Sequence, residues 1–261
     1  VPRRKEKAKN SIPSLIPNRL SIDIRPEKRR HMKEFTEKHH AFIAGMYYSL
    51  LIDRFGERGK AAFVHATQRY AEQRGSRMAQ RAIRDGRTLD FATYREYGEW
   101  VNTQTVKDEG CDNQGYVVSY SPDFDERVTK CPWATQFKEM GLSECGTLYC
   151  TYVDNSVCRG FNPDLVFDVP QSMHEHGSCI QILRGANFPE GIKFQKHAEY
   201  LRTFDYHCGH IYKTFSSITE AIFSAEGTAV NAEVLKRFGD TYGSDMAGVL
   251  VSYRNTDFNV L

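Results

Sequence analysis

The sequence lacks any long apolar run. No window of its 261 residues approaches the roughly 18 consecutive apolar residues that a membrane-spanning helix needs, and no apolar stretch near its start has the form of a secretory signal. It also lacks an excess of one charge, because 35 Lys and Arg nearly balance 33 Asp and Glu. With 40% apolar residues, the chain can bury a sizeable core. We therefore expect a globular, cytoplasmic protein that binds neither membrane nor nucleic acid.

Disulfide and zinc-knuckle patterns are missing as well. The seven cysteines are an odd number, and no two of them form a C-x-x-C pair. Both facts argue against a closed disulfide framework and against a zinc ribbon, and they favour free thiols in a reducing compartment. Five of the seven lie between Cys131 and Cys179, so the middle of the chain is rich in thiols.

Basic residues are concentrated at one end. Residues 1–40 hold 12 Lys and Arg against five Asp and Glu. We interpret residues 1–25 as a basic disordered tail. Residues 26–261 are predicted to form a single domain that is helical over 26–106 and over 186–261, with a mixed region at 107–185 between them.

Hydrophobic periodicity predicts an α+β fold. In the first part of the chain we predict helices from residue 26 to about 55, over 59–85 and over 88–104, the last capped by Asp90. Helical patterns return from residue 190 onward. Four β-prone segments in the middle predict a small antiparallel sheet of about four strands with a helical insertion, at 115–121, 126–131, 165–169 and 178–183.

The two helical flanks resemble each other at an offset of 168 residues. The pattern F-x3-G-x-A-x7-R-x5-G-S-x-M-A starts at Phe55 and again at Phe223. Shared spacing of this kind predicts two copies of a helix-turn-helix unit, a pseudo-repeat that flanks the sheet.

The stretch MHEHGSC, from Met173 to Cys179, concentrates side chains that bind metals or move protons. If it is extended, His174 and His176 project from the same face and could share one cation. Three interpretations remain open: a divalent metal site, an acid/base or substrate-binding role, and a solvated loop. Apart from that metal, no cofactor is expected.

Two thiols have neighbours that suit a nucleophile. Cys131 precedes Pro132, a favoured first residue of a helix, so its sulfur should lie near a positive helix end. Cys150 and Asp154 are four residues apart and share one face of a predicted helix. Sequence alone does not choose between them and Cys179.

Four short motifs follow one another between Cys131 and Cys179: CPWATQFKEMG, C-x3-D in CTYVD, GFNPDLVF, and M-x3-G-x-C in MHEHGSC. In this order and spacing they resemble the L-2-amino-thiazoline-4-carboxylic acid hydrolase family. The namesake reaction of that family opens a five-membered aminothiazoline ring by adding water and gives a carbamoyl-cysteine. The resemblance therefore implies a ring-opening hydrolase that acts on a C–N or C–S bond.

The resemblance also implies a set of site residues. Asp154 is the expected proton shuttle, Cys150 or Cys179 the expected nucleophile, and His174 or His176 the assisting imidazole. The positions expected to bind substrate are Cys131, Asn162 and Arg159.

The chain departs from the family pattern at two positions. His176 stands before the glycine, where the family tends to have an acidic residue, and Asn155 follows the aspartate in place of a frequent histidine. We expect His174 and His176 to govern which ring is accepted: an aminothiazoline carboxylate or another cyclic amide, amidine or imide.

The order of strands and helices is also similar to that of small-molecule-binding domains related to haem and nitric-oxide sensors. This similarity implies the alternative function, a sensor module without turnover. On either interpretation the partner is a small molecule, and a homo-oligomer is expected.

Overall fold

Helices form most of the described chain. The computed structural model describes residues 34–261. The predicted tail and the predicted helix start at residue 26 lie outside them. The first helix begins at Glu37, where Thr36 is the N-cap. In chain order the helices are α1 (Glu37–Phe55), α2 (Glu57–Arg84), α3 (Phe91–Glu96), α4 (Gln104–Asp108), α5 (Pro132–Glu139), α6 (Ser143–Phe161), α7 (Phe204–Tyr242) and α8 (Ser244–Ser252).

Four strands form one antiparallel sheet in the order β1-β2-β4-β3, which confirms the α+β prediction. The strands are β1 (Gln114–Ser119), β2 (Phe124–Lys130), β3 (Phe167–Gln171) and β4 (Cys179–Leu183). Side chains alternate between the faces of a strand, so Cys179, Gln181 and Leu183 share one face of β4. Because Cys179 and Leu183 are buried, this is the inner face, and it lies against α6.

Helices α2 and α6 approach each other at two glycines. A Cβ added at Gly75 would lie 2.0 Å from the carbonyl oxygen of Val157, and one added at Gly160 would lie 2.4 Å from that of Glu72. Without side chains at these positions the two backbones can touch. This contact fixes which residues of α2 face the part of α6 that carries Cys150 and Asp154.

The predicted helix over 88–104 is wrong beyond its first turns. Asp90 caps it as expected, its carboxylate accepting the N–H of Thr93 at 2.9 Å, but α3 ends at Glu96. The chain then leaves the helical path because Glu99 is drawn into the interior, where Arg77 and Arg81 donate to its carboxylate. A buried carboxylate with two guanidinium partners outweighs the local helical pattern.

The predicted helix from residue 190 also starts late. Residues 190–203 are irregular apart from one 3-10 turn, and α7 begins at Phe204. In this irregular segment, the ammonium group of Lys196 donates a hydrogen bond to the carbonyl oxygen of Trp100 at 2.6 Å. That tertiary hydrogen bond ties the segment to the chain after α3.

The two flanks share one unusual backbone feature. Gly56 interrupts the helical path between α1 and α2 with φ 55° and ψ −129°. Ser224 produces a kink within α7 with nearly the same angles, φ 52° and ψ −126°. Phe55 and Phe223, the preceding residues, stack with ring centroids 3.7 Å apart. Matching kinks 168 residues apart are compatible with a duplicated unit, and the pseudo-repeat itself stays a prediction.

Candidate active site

Five of the eight predicted site residues lie close together between α6 and the inner face of the sheet: Cys131, Cys150, Asp154, His174 and Cys179. Cys150 and Asp154 lie one turn apart on α6, as their spacing predicted, and Gln181 of β4 donates to the Asp154 carboxylate at 3.2 Å. Cys131 and Cys179 are close enough to raise the pKa of the Cys150 thiol further, after the larger effect of burial. Helix and sheet thus bring three thiols and a carboxyl group together.

Cys150 is paired with His174. Its Sγ lies 3.5 Å from the imidazole Nε2. Burial raises the pKa of the Cys150 thiol well above its usual value and lowers the pKa of His174, so both groups are neutral at rest. The imidazole lies directly against Gly146, where an added Cβ would meet its ring at 2.2 Å. Gly146 therefore leaves the space that the His174 ring occupies, and the sequence analysis did not identify it.

Residues 173–178 form a turn before β4, so the condition under which His174 and His176 would share one face, an extended chain, is not met. The backbone N–H of Met173 donates to the Cys179 sulfur at 3.2 Å and bends the chain back onto β4. As a result His174 is half-buried and faces α6, whereas His176 is exposed. Within residues 34–261 no group of three or more His, Cys, Asp or Glu is arranged to hold a metal ion.

Asp154 has the pKa of a group that changes charge near neutrality. Burial raises its pKa to about 6, although the Arg74 and Arg95 guanidinium groups and the Gln181 amide act in the opposite direction. A carboxyl group with such a pKa can accept or give a proton at physiological pH.

Cys131 is the N-cap of α5 with Pro132 as first helical residue, as the sequence predicted. The expected activation of its thiol is not found. Burial raises the pKa of Cys131 to about 12, which outweighs the opposing effect of the Trp133 and Ala134 amides at the helix end. Cys131 therefore belongs to the wall of the site as a neutral thiol.

Two predicted substrate-binding residues lie outside this cluster of groups. Asn162 ends α6, where its amide donates to the carbonyl of Leu89 at 2.8 Å and accepts the N–H of Asp164 at 3.0 Å. Arg159 is exposed and pairs with Glu72 at 2.7 Å. Both side chains have structural partners, and their substrate-binding role stays a prediction.

The sequence analysis did not predict three basic side chains whose charges act at this site, Arg74, Arg95 and Lys196, which are called the basic wall below. Arg74 of α2 and Arg95 of α3 both lower the pKa of Asp154. The pKa of Lys196 is lowered to about 8, mainly by burial and further by the charges of the same two arginines. One signal was available: Arg74, Arg77 and Arg81 recur at helical spacing together with apolar positions of α2.

A cavity of about 390 Å³ lies beside the site. Its walls are the exposed turns of α6, including Thr147 and Thr151, together with Lys60, His174 and Glu175. His174 is one of the lining residues, so the cavity borders the Cys150–His174 pair from the solvent side. A small ring compound fits a space of this size.

Comparisons with known proteins agree with the motifs. The family described as L-2-amino-thiazoline-4-carboxylic acid hydrolase matches residues 35–179, which span α1 to α6, β1 to β3 and the first residue of β4. Searches of curated proteins and of solved structures gave no match. In residues 34–261 no helix is long and apolar enough to cross a membrane. The chain belongs to the L-2-amino-thiazoline-4-carboxylic acid hydrolase family.

Proposed function

We propose that this chain opens a small heterocycle by adding water at an amidine-like or amide carbon, breaking a ring C–S or C–N bond. The observation that carries the proposal is the 3.5 Å contact between Cys150 Sγ and His174 Nε2, with Asp154 one turn away on the same helix. A thiol, a neutral imidazole and a carboxyl group with a pKa of about 6 supply a nucleophile and two proton carriers. Aminothiazoline carboxylate is the first substrate to test.

In the first step the Cys150 sulfur attacks the ring carbon and its proton passes to Nε2 of His174. The resting pair is neutral, because burial disfavours both the thiolate and the imidazolium. Charge therefore develops only as the new C–S bond forms. The protonated His174 then gives this proton to the ring sulfur or nitrogen as the ring bond breaks. The ring-opened substrate stays attached to the Cys150 sulfur through the carbon that was attacked.

In the second step water attacks this carbon and Asp154 accepts a proton from it. The pKa of about 6 leaves Asp154 ionised at neutral pH and therefore able to act as the base. The bond between this carbon and the Cys150 sulfur then breaks, which releases the carbamoyl product, and the sulfur regains a proton. The sum of both steps is one substrate and one water giving one ring-opened product.

The test is incubation of the purified chain with L-2-aminothiazoline-4-carboxylate, followed by mass spectrometry of the products. We expect a ring-opened carbamoyl compound, and Asp154→Asn should lower the rate at least about a hundredfold. Cys150→Ser should abolish turnover, whereas Cys111→Ser, outside the cluster, is the control. Normal turnover in Asp154→Asn would contradict the role of Asp154. A ligand bound in stoichiometric amount and recovered unchanged would favour the sensor alternative.

A covalent intermediate gives a second readout. If Cys150 attacks the ring, rapid acid quenching should trap the chain with the mass of the bound substrate fragment on the peptide that contains Cys150. The same peptide should stay unmodified in His174→Ala, because without a base the thiol remains protonated. Label on Cys179 in place of Cys150 would reassign the nucleophile.

A further inference from the structure

Arg74 is an almost buried guanidinium group without a hydrogen-bond partner among residues 34–261. Its side chain is 11% exposed, and its Nε has no acceptor. Its nearest ion-pair contact is 3.9 Å, from Nε to the carboxylate of Glu99. Arginine carries five N–H donors and is always charged, so a buried arginine without acceptors is costly.

Glu99 does not satisfy Arg74, because its carboxylate is engaged by two other arginines. Arg77 donates to both of its oxygens, at 3.1 and 2.8 Å, and Arg81 donates to one at 2.7 Å. Three guanidinium groups thus surround one carboxylate. The interior of the protein holds more positive than negative charge here, and a buried excess of charge calls for an anion.

Two more basic groups, Arg95 and Lys196, interact electrostatically with the same region. Arg95 is paired with Glu126 at 3.2 Å, and Lys196, held by the carbonyl of Trp100, is repelled by both arginines. Asp154 is the carboxyl group that these charges act on, and the proposed chemistry uses it to move a proton. Among the residues that the structure describes, Arg95 and Lys196 each have a hydrogen-bond acceptor and Arg74 has none.

Aromatic rings border the same wall. The Arg74 guanidinium lies 5.7 Å from the ring centroid of Tyr70, and its charge acts on Tyr94 and Tyr149. The His40 ring contacts both Tyr70 and Tyr149, with ring centroids 5.2 and 6.3 Å apart, so a continuous set of rings connects the guanidinium with the turn of α6 that carries Cys150. A flat heterocycle can pack against such rings while a charged substituent reaches the guanidinium.

We propose that Arg74 binds the carboxylate of the substrate and so selects ring acids over neutral rings. This inference builds on the proposed hydrolase, for which it names a residue that recognises the acid group of the substrate. A carboxylate accepts two parallel N–H bonds from one guanidinium group, which would supply the missing acceptors and hold the ring at a fixed distance from Cys150. Arg74 is thus a specificity-determining residue, apart from the groups that carry the chemistry.

The test compares binding of 2-aminothiazoline-4-carboxylate with that of its 4-carboxamide, by calorimetry, in the whole chain carrying Cys150→Ser. We expect the carboxylate to bind at least about tenfold more tightly, and Arg74→Gln to weaken its binding about ten- to a hundredfold, with little effect on the carboxamide. Arg74→Lys keeps the charge and loses the paired geometry, so it should recover part of the preference. Arg69→Gln, exposed on the same helix, is the control.

Equal binding of the two ligands by the Cys150→Ser chain would overturn the inference. So would an Arg74→Gln chain that keeps the preference. If Arg74→Gln does not fold by circular dichroism, Arg74→Lys decides: an unchanged preference contradicts the paired geometry, and a reduced one supports it. Selective binding of the carboxylate without turnover by the unmodified chain would refute the hydrolase and leave the role of Arg74 intact.

Discussion

The sulfur of Cys150 lies 3.5 Å from Nε2 of His174, and the imidazole occupies a space on α6 that only glycine at position 146 leaves open. The helix and the turn before β4 therefore place one thiol and one imidazole in contact. Of the two histidines, it is His174 and not His176 that contacts the thiol, so His174 is the imidazole that the proposed chemistry uses.

The two histidines should differ in their effect on turnover. We expect His174→Ala to lower kcat about a hundredfold or more, because it removes the group that takes the Cys150 proton. The exposure of His176 predicts a much smaller change for His176→Ala, within about threefold. Steady-state rates of both variants with the same substrate measure the difference. Equal losses would mean that the turn rearranges when substrate binds.

Turnover should rise with pH through the pKa of Asp154. If Asp154 accepts a proton from water, it must be ionised, so kcat should increase as the pH passes about 6 and level off above it. A pH–rate profile between pH 4.5 and about pH 8 tests this. A rate that instead falls over the same range would make Asp154 the acid.

The ionised form of Asp154 should also lower the free energy of unfolding at neutral pH. An acid whose pKa is raised in the folded state holds its proton more tightly there than in the unfolded chain. Its destabilising effect therefore appears as the pH rises from about 4, the unfolded value, and is complete above about 6. The stabilisation by Asp154→Asn, measured as the increase in the free energy of unfolding, should be about 2 kcal/mol larger at pH 8 than at pH 4.

Urea denaturation at the two pH values measures this difference, with Asp240→Asn on the exposed end of α7 as the control. The opposite sign, a variant that is more stabilised at low pH, would show that burial does not dominate the environment of Asp154. Stability gained together with activity lost is the expected pattern if Asp154 serves the proposed chemistry.

The contact between α2 and α6 should tolerate no side chain at Gly75. Gly75→Ala would place a methyl group 2.0 Å from the Val157 carbonyl oxygen and force the helices apart. We expect a loss of about 2 kcal/mol or more in unfolding free energy, together with weaker activity because Arg74 moves relative to Asp154. Gly248→Ala, where nothing lies within 4 Å on helix α8, should instead stabilise the chain by about 0.5 kcal/mol. Thermal unfolding of both variants is the measurement.

The kink at Ser224 should favour glycine. Its φ of 52° and ψ of −126° lie in a region that residues with a Cβ rarely adopt, and glycine occupies the matching position 56. Ser224→Gly should raise the unfolding free energy by about 1 kcal/mol, and Gly56→Ser should lower it by a similar amount. Chemical denaturation compares the two. A loss of stability in Ser224→Gly would mean that the hydroxyl group contributes more than the strain costs.

Local patterns were enough to predict some elements and not others. The four strands and α2 follow from residue type and periodicity, and Asp90 caps α3 as its position suggested. The end of α3 could not be predicted, because Glu99 leaves the helical path to reach arginines about 20 residues away in the sequence. Contacts at that distance leave no local periodic signal.

The sequence by itself determined the α+β class, the family and the chemical types of the site: a thiol and a carboxyl group at helical spacing on α6, and a thiol before Pro132. These are properties of neighbouring residues, so local spacing reveals them. Only the tertiary structure decided that His174 turns inward, and that the charge of Arg74, which has no hydrogen-bond acceptor among residues 34–261, acts on Asp154. The physical reason is that both depend on close packing between distant segments: a ring against Gly146, and a helix crossing at Gly75.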